Sequence, residues 1–577
     1  MTASYITSLS IRYYMMEGVR VTSSIYDFKN LRGDLTGGLV AGVVALPLAL
    51  AFGVQSGLGA AAGLYGAIAI GILAAIFGGT ATQASGPTGP MTVVSAALIA
   101  AAIQFAGTLE SALGIIVLTF LLGGVFQILF GVLNIARYVK FLPYPVISGF
   151  MSGVGLIIVL LQFYPLAGVS APKSTIGVIT EISRFFADLN WVALGLGALT
   201  VIIYYLFPRV TKAVPSTLVA LISVSLFSFF LNADVPLIGE IPSGLPSLKI
   251  DGLLTVDSKA YTLILEYALV LGALGSIDSL LTSVIADNIT KTKHNSNREL
   301  IGQGIGNIAA ALIGGIPGAG ATKGTVVNIN AGGRTRLSGT IHGLFLLAVL
   351  LGVGQLAAFI PLAVLAGILI PIGFAIIDKK GLKHLLRVPR ADAVVLIAVL
   401  AITTFGSLIQ AVGIGVILAS LLFMKRSSDL AEQGAAVTAL AGVEGEDIWE
   451  DEAMAYPEIK HCIYIKHLYG PMFFGFTSHF QDLIRNLDEG ICALIIRMER
   501  VPHMDQSGLY AMEEAILDLS RRGVIVLFTG LHPQPRDMLL KIDVIPDLVA
   551  EDRVFEDFEN SVKWLKNKGF AASGNGS

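Results

Sequence analysis

Apolar residues fill most of this chain in repeated blocks, broken by short polar stretches that hold most of the basic side chains. A block of about 20 apolar residues is the length that crosses a bilayer as a helix. Read this way, the pattern predicts spans near 35–54, 60–78, 88–105, 111–132, 144–163, 191–207 and 215–231. A second set follows near 262–286, 299–314, 322–331, 338–352, 357–377, 392–404 and 407–424. The blocks are rich in Gly and Ala, as in "GGLVAGVVALPLALAFGV" (37–54), and small residues let membrane helices approach closely. Seven spans are followed by seven. Because seven is odd, the second set enters from the opposite side, so the two sets form inverted repeats.

The pattern changes after residue 426. Residues 427–457 are Ala/Gly-rich and then acidic, the composition of a linker. Beyond them, strand-like runs at 462–467, 471–476, 492–498 and 524–530 alternate with helical patterns at 478–487, 508–521, 534–541 and 556–568. The expected fold is therefore an all-α polytopic membrane domain of fourteen spans followed by a small α/β domain with a mixed sheet. The expected divisions are an N-terminal segment 1–34, a membrane domain 35–426, the linker 427–457 and a soluble domain 458–577.

Composition strengthens the membrane reading. Mean hydropathy is +0.76 and 14% of residues are charged, where soluble proteins carry about a quarter. Charge also orients the spans. With the N-terminus inside, the inner loops collect sixteen Lys and Arg, from Arg137 to Arg426. The outer loops hold only Lys173, Arg184, Lys249 and Lys259. That asymmetry is the positive-inside pattern and places both ends in the cytoplasm, with the plasma membrane of a cell as the expected location. The net charge of −3 gives no sign of nucleic-acid binding. The two cysteines, Cys462 and Cys492, lie in the polar part; no disulfide framework is implied and a reducing cytosol is expected there. The N-terminus shows no cleavable signal pattern.

Two Gly/Pro-broken stretches interrupt the apolar tracts: "SGPTGPMTVV" (85–94) and "GAGATKGTVVN" (318–328). They occupy corresponding places, at the start of the third span of each repeat. Paired interruptions of this kind mark a midplane binding site, where two half-helix N-termini meet. Ser85 is the expected cap of the first, with Gly86, Gly89 and Pro90 shaping the turn; Gly318, Gly320 and Ala321 shape the second. Free N–H groups and positive dipole ends favour an anion, with Thr88, Thr322 and Thr325 as hydroxyl donors. Asp278 is a lone carboxylate inside an apolar span, and such a residue is a functional hypothesis by default. Thr282, four residues on, shares its face. A carboxylate, a hydroxyl and the carbonyls of "GAGAT" suit a small hard cation or a proton. Lys323 either draws the anion or snorkels to the surface. Gln303 and Asn307 read as interhelical hydrogen-bonding residues, and Asp287 and Glu266 as solvated span ends. No catalytic constellation, phosphate loop or histidine metal spacing is present, so no enzyme and no organic cofactor are expected.

Taken together, "ALPLALAFGVQSG", "GPTGPMT", "PYPVISGFMSG", "GSIDSLLTS" and "GQGIGNIAAALIGGIPGAGAT" resemble the sulfate permease (SulP) family of anion transporters, and the C-terminal part resembles a STAS domain. The resemblance implies core and gate domains, elevator-like movement and a homodimer in membrane lipid. Within the family, "GSIDSLLTS" and "GAGAT" look most like BicA-type sodium-dependent bicarbonate transporters. That resemblance implies sodium at Asp278, Thr282, Gly320, Ala321 and Thr322, and bicarbonate beside Thr88, Gly89, Ala321 and Thr322. Gly324 stands where many sulfate-type relatives carry arginine. "HMDQSGLYAMEEAI" (503–516) places Ser507 at the position phosphorylated in anti-sigma antagonists, beside the bland alternative of helix capping by Asp505 and Ser507. Bicarbonate–sodium symport into the cell is thus the leading expectation. Proton-coupled uptake of sulfate or a dicarboxylate, with Asp278 as proton carrier, is the alternative. A membrane-tethered sensor binding a cytosolic regulatory partner through the STAS domain is a third.

Overall fold

The computed structural model describes residues 30–570, leaving out 138–142, 173, 212–213, 240–243, 250–255, 386, 407, 434–436, 440–448, 450, 453–461 and 474–489. Most of the expected N-terminal segment, most of the linker and the expected helix 478–487 lie outside the described residues. The chain divides into two compact units, Met1–Ala419 and Ser420–Ser577.

Every expected span forms a helix: α1 Leu31–Ser56, α2 Ala60–Phe77, α3 Gly89–Ala106, α4 Leu109–Val132, α5 Tyr144–Leu166, α6 Trp191–Val210 and α7 Ser216–Phe230. The second set is α8 Tyr261–Thr290, α9 Ser296–Leu312, α10 Thr322–Asn330, α11 Arg336–Val353, α12 Leu362–Ile376, α13 Arg390–Phe405 and α14 Leu408–Gln433. Their packing separates two groups. α9 packs on α4 and α2, α8 on α4, and α11 on α1 and α2, which makes a core of α1–α4 and α8–α11. α12 packs on α5, α6 and α7, and α13 on α5, which makes the gate. Glycines permit the close crossings. A Cβ on Gly124 of α4 would lie 2.7 Å from the Gly304 carbonyl oxygen, and one on Gly304 of α9 2.5 Å from that of Gly124. Between core and gate, at the end of α1, a cavity of about 1330 Å³ is lined by Gln55, Gln104 and Gln162 among apolar neighbours.

The second unit contains a five-stranded sheet in the order β3 Val437–Ala439, β4 Ile463–Tyr469, β5 Ala493–Arg500, β6 Ile525–Thr529, β7 Val554–Phe555. β3 pairs antiparallel with β4 and the other pairs are parallel, so the sheet is mixed as expected. The helices α15 Gln506–Arg521, α16 Pro533–Lys541 and α17 Phe558–Leu565 complete the unit. Two apolar clusters cover the sheet's two faces, one with Leu494, Ile496 and Phe528, the other with Ile495, Leu527 and Phe558. Three sequence expectations change. The described part of 471–476 is not a strand; Met472 makes only an isolated bridge to Met504. β3 falls inside the expected linker. Cys462 and Cys492 are disulfide-bonded, against the expectation of free thiols, because parallel pairing of β4 with β5 sets their Cα atoms 5.3 Å apart.

Candidate ion-binding site

The two broken stretches meet. Between α2 and α3 the chain folds back and forms the two-residue strand β1, Ser85–Gly86; between α9 and α10 it forms β2, Ala319–Gly320. They pair antiparallel, with Ser85 opposite Gly320 and Gly86 opposite Ala319. The Ala321 N–H adds a bond of 2.8 Å to the Ala84 carbonyl. The backbones approach so closely that a Cβ on Gly318 would lie 2.1 Å from the Gly86 oxygen. Each strand runs directly into a helix. Thr88 is extended at φ −120° and ψ 158°, and Pro90 sits in the first turn of α3, where its missing N–H costs nothing. Neither helix start is closed by a side chain: Thr88 makes no capping bond and Ala321, before α10, has none to make. The first-turn N–H groups and dipole ends of α3 and α10 therefore face the crossing.

α8 supplies the polar wall. The Thr282 hydroxyl, fully buried, donates to the Gly320 carbonyl at 2.9 Å and lies 2.7 Å from the Thr322 hydroxyl. Ser279 accepts from the Gly320 N–H at 3.1 Å. Asp278 is one turn before Thr282. Its Oδ2 is shielded from solvent and makes no well-aligned hydrogen bond; the Thr88 hydroxyl lies close beside it, also without a well-aligned bond. A Cβ on Gly89 would meet Ile376 of α12 at 2.7 Å and Ile158 of α5 at 2.9 Å, so the crossing sits at the seam between core and gate. Asp278, Thr282, Gly320, Ala321, Thr322, Thr88 and Gly89 are thus brought to one place. One carboxylate with an orphaned oxygen, hydroxyls and a peptide carbonyl form an oxygen set fit for a hard cation.

The other expected residues lie outside this oxygen set. Ser85 does not cap α3; it lies in β1, and its hydroxyl accepts from Gln303 at 2.6 Å. Thr325 is turned away, bonded to the N–H and carbonyl of Ala84 at 3.1 and 3.3 Å. Lys323 is exposed at the start of α10. Asn307 bonds across helices to Gln127 at 2.6 Å and holds both polar groups of Gly318. Asp287 is not simply solvated, for its carboxylate accepts from the His294 backbone N–H at 3.0 Å. Ser507 is exposed in the first turn of α15, which Asp505 caps through the Gly508 N–H at 2.8 Å. Sequence reading passed over Glu299, a buried carboxylate bonded to the loop before β1. Its signal was the spacing Glu299, Gln303, Asn307, which puts three polar groups on one face of α9.

The Sulfate permease family model matches residues 31–399, and the STAS domain model residues 454–560. The chain belongs to the sulfate permease family. It is accordingly a multi-pass membrane anion transporter rather than an enzyme. The chain is 42% identical over 550 residues to the bicarbonate transporter BicA of Synechocystis sp. PCC 6803, covering 94% of this chain and 96% of that one. It is 31% identical over 500 residues to the putative sulfate transporter YvdB of Bacillus subtilis, covering 85% and 89%. The solved transmembrane domain of a cyanobacterial bicarbonate transporter BicA superposes with TM-score 0.62 at 46% identity, over 68% of this chain and 98% of that one. The murine solute carrier 26 member A9 anion transporter shares the fold across 98% of this chain and 95% of its own, at TM-score 0.80 and 19% identity.

Proposed function

We propose that this chain is a symporter that carries bicarbonate into the cell together with sodium. The observation that carries this reading is the β1–β2 crossing, which puts two uncapped helix N-termini and the orphaned Asp278 carboxylate at one point. The helix ends attract the anion through N–H groups of α3 and α10 near Thr88, Gly89, Ala321 and Thr322. Asp278, with the hydroxyls of Thr282 and Thr322 and the carbonyls of Gly320 and Ala321, supplies oxygen ligands for sodium. Bound sodium would neutralise Asp278 and remove its repulsion of the anion, which couples the two. BicA relatives at 42% and 41% identity favour bicarbonate over sulfate as the anion. Core and gate, joined at a seam that holds the site, suit movement of the core past the gate. The reading includes placement in the plasma membrane with both ends cytoplasmic, and a homodimeric assembly. Uptake of labelled bicarbonate and of sulfate into proteoliposomes, with and without a sodium gradient, tests it. Sodium-driven bicarbonate uptake is expected. Sulfate uptake driven by a pH gradient, without bicarbonate uptake, would replace this reading with proton coupling at Asp278.

A further inference from the structure

We infer that Glu299 is a positioning residue for the transport site, the anchor that fixes the loop from Gly78 to Ser85 and, through it, the start of α3. The assignment rests on the reading of the crossing as the transport site. Glu299 lies in the first turn of α9 and is 1% exposed. Its carboxylate meets four donors. Oε2 accepts from the backbone N–H groups of Gly79 at 2.9 Å and Thr80 at 2.8 Å. Oε1 accepts from Gln83 Nε2 at 2.8 Å and Gln303 Nε2 at 2.9 Å. A buried acid surrounded only by donors is the arrangement of an ionised, acceptor-only carboxylate.

The grip extends in both directions. Upstream, where α2 ends and its carbonyls carry the negative end of the helix dipole, Arg298 donates to the Phe77 carbonyl at 3.2 Å and Arg336 to that of Gly78 at 3.0 Å. Downstream, Gln303 continues from Glu299 to the Ser85 hydroxyl in β1, at 2.6 Å. Gln83 is held twice, by Glu299 and, through its own Oε1, by Ser283 of α8 at 3.0 Å. Its side chain also fills the space a Cβ on Gly320 would need, 2.2 Å from that position. One carboxylate therefore ties the loop, β1, α8 and the backbone of β2 into a single register. None of these groups needs to touch the ion or anion; they decide where the N–H groups of α3 point.

Glu299→Gln tests the assignment because it keeps the shape and removes the charge. The new amide nitrogen is a donor facing donors on whichever edge it takes. If Gln83 turned its own amide to accept, the Ser283 hydroxyl would have to switch from donor to acceptor toward it, keeping its bond to the Ser279 carbonyl. Charge-assisted hydrogen bonds become ordinary ones, and a donor is stranded unless Gln83 and Gln303 both turn their amides. The measurements are amide hydrogen exchange over 78–86 in the full-length protein without sodium or bicarbonate, and sodium-dependent bicarbonate uptake. Exchange at Gly79 and Thr80 should accelerate about tenfold, and KM for bicarbonate should rise about tenfold with maximal rate changed far less. Glu299→Asp should fall between Gln and wild type. Gln83→Met, which removes one of the four donors to Glu299 together with the acceptor of Ser283, keeps the test open if Glu299→Gln does not insert; it should show the same pattern at about threefold. Wild-type exchange and wild-type KM in Glu299→Gln would overturn the assignment, as would wild-type values in Gln83→Met if Glu299→Gln is lost. A fall in thermal stability with KM and local exchange unchanged would also overturn it, leaving Glu299 a merely structural residue. Because exchange is measured without either ion, it judges the anchor even if wild-type protein carries neither, a result that would remove the transport reading instead.

Discussion

Asp278 is the residue on which coupling turns. Its carboxylate has an oxygen with only the poorly aligned Thr88 hydroxyl beside it, whereas Glu299, another acid in the core, has every lone pair occupied. One is poised for a ligand and the other is consumed by the fold. Asp278→Asn keeps the shape and removes the charge. A buried cation that loses its counter-charge is destabilised by about 3–5 kcal/mol, more than a hundredfold in affinity. Sodium-driven uptake should collapse while the protein still inserts, and isothermal titration should show no sodium binding. Normal uptake with unchanged sodium dependence would move the coupling site elsewhere. Thr282→Val should be milder, about 1 kcal/mol or several-fold in sodium affinity, because it removes one oxygen and one hydrogen bond to Gly320. The sequence made Asp278 visible because a carboxylate stands out amid "LVLGALGSIDSLL". Glu299 was hidden because "NSNREL" reads as a polar helix start, where acids are commonplace. Thr325 misled for a different reason. It shares the composition of the site, but lies one turn beyond Thr322 and its hydroxyl is spent on Ala84.

At the scale of elements, the helices were legible because an apolar window is a local signal, and even the short α10 was marked by its length. β1 and β2 were not legible as strands. Two-residue segments of Ser-Gly and Ala-Gly carry no alternation, and their pairing is between segments far apart in sequence. The expected linker concealed an ordered feature for the same reason, since its partners lie downstream. The Trp449 ring packs against the guanidinium groups of Arg497, 3.9 Å from its centroid, and Arg500, 4.5 Å from it. Asp451 pairs with Arg497 at 2.9 Å, and the Glu452 carboxylate with His467 at 2.7 Å and with Arg497. These residues fasten an acidic stretch to β4 and β5. Burial alone would raise the Glu452 carboxyl, but the hydrogen bonds and charges of His467 and Arg497 hold it below the ordinary glutamate value. A lowered folded value stabilises the charged form, so this contribution is fully present above about pH 4.5 and is lost as pH falls through the lower folded value. Protection against hydrogen exchange in β4 and β5, taken relative to the intrinsic exchange rate at each pH, should therefore fall as the pH is taken below about 4.5, and Glu452→Gln should remove much of that dependence. A wild-type pH profile in Glu452→Gln would mean that Glu452 is not the group responsible. Arg497→Ala should do more harm than either, by about 3–5 kcal/mol, because it leaves buried Glu452 without its cation.

For the whole molecule, the division of labour follows from where the polar groups lie. Every proposed ligand, from Thr88 to Thr322, belongs to the core, and the gate contributes apolar side chains such as Ile158 and Ile376 at the seam. The gate helices also carry strongly exposed apolar residues, Trp191 and Phe230 among them, the faces expected to meet lipid. In lipid, apolar contact gives little drive for two copies to associate, because the tails are as apolar as the side chains. A homodimer of this chain should therefore depend on its water-exposed STAS part rather than on membrane faces alone. Deleting the chain from about residue 430 onward tests both statements at once. The truncated protein should keep its KM for bicarbonate and sodium within about twofold, since no proposed ligand is removed, and a change of that size is under 0.5 kcal/mol. Mass measurement in detergent across a wide concentration range should show the full-length chain as a dimer and the truncated chain shifted toward monomer. A full-length chain that is monomeric throughout would refute the dimer. A truncated chain that stays fully dimeric would place the contact in the membrane part, and a large loss of bicarbonate affinity on truncation would mean that the STAS domain shapes the site rather than its assembly or regulation.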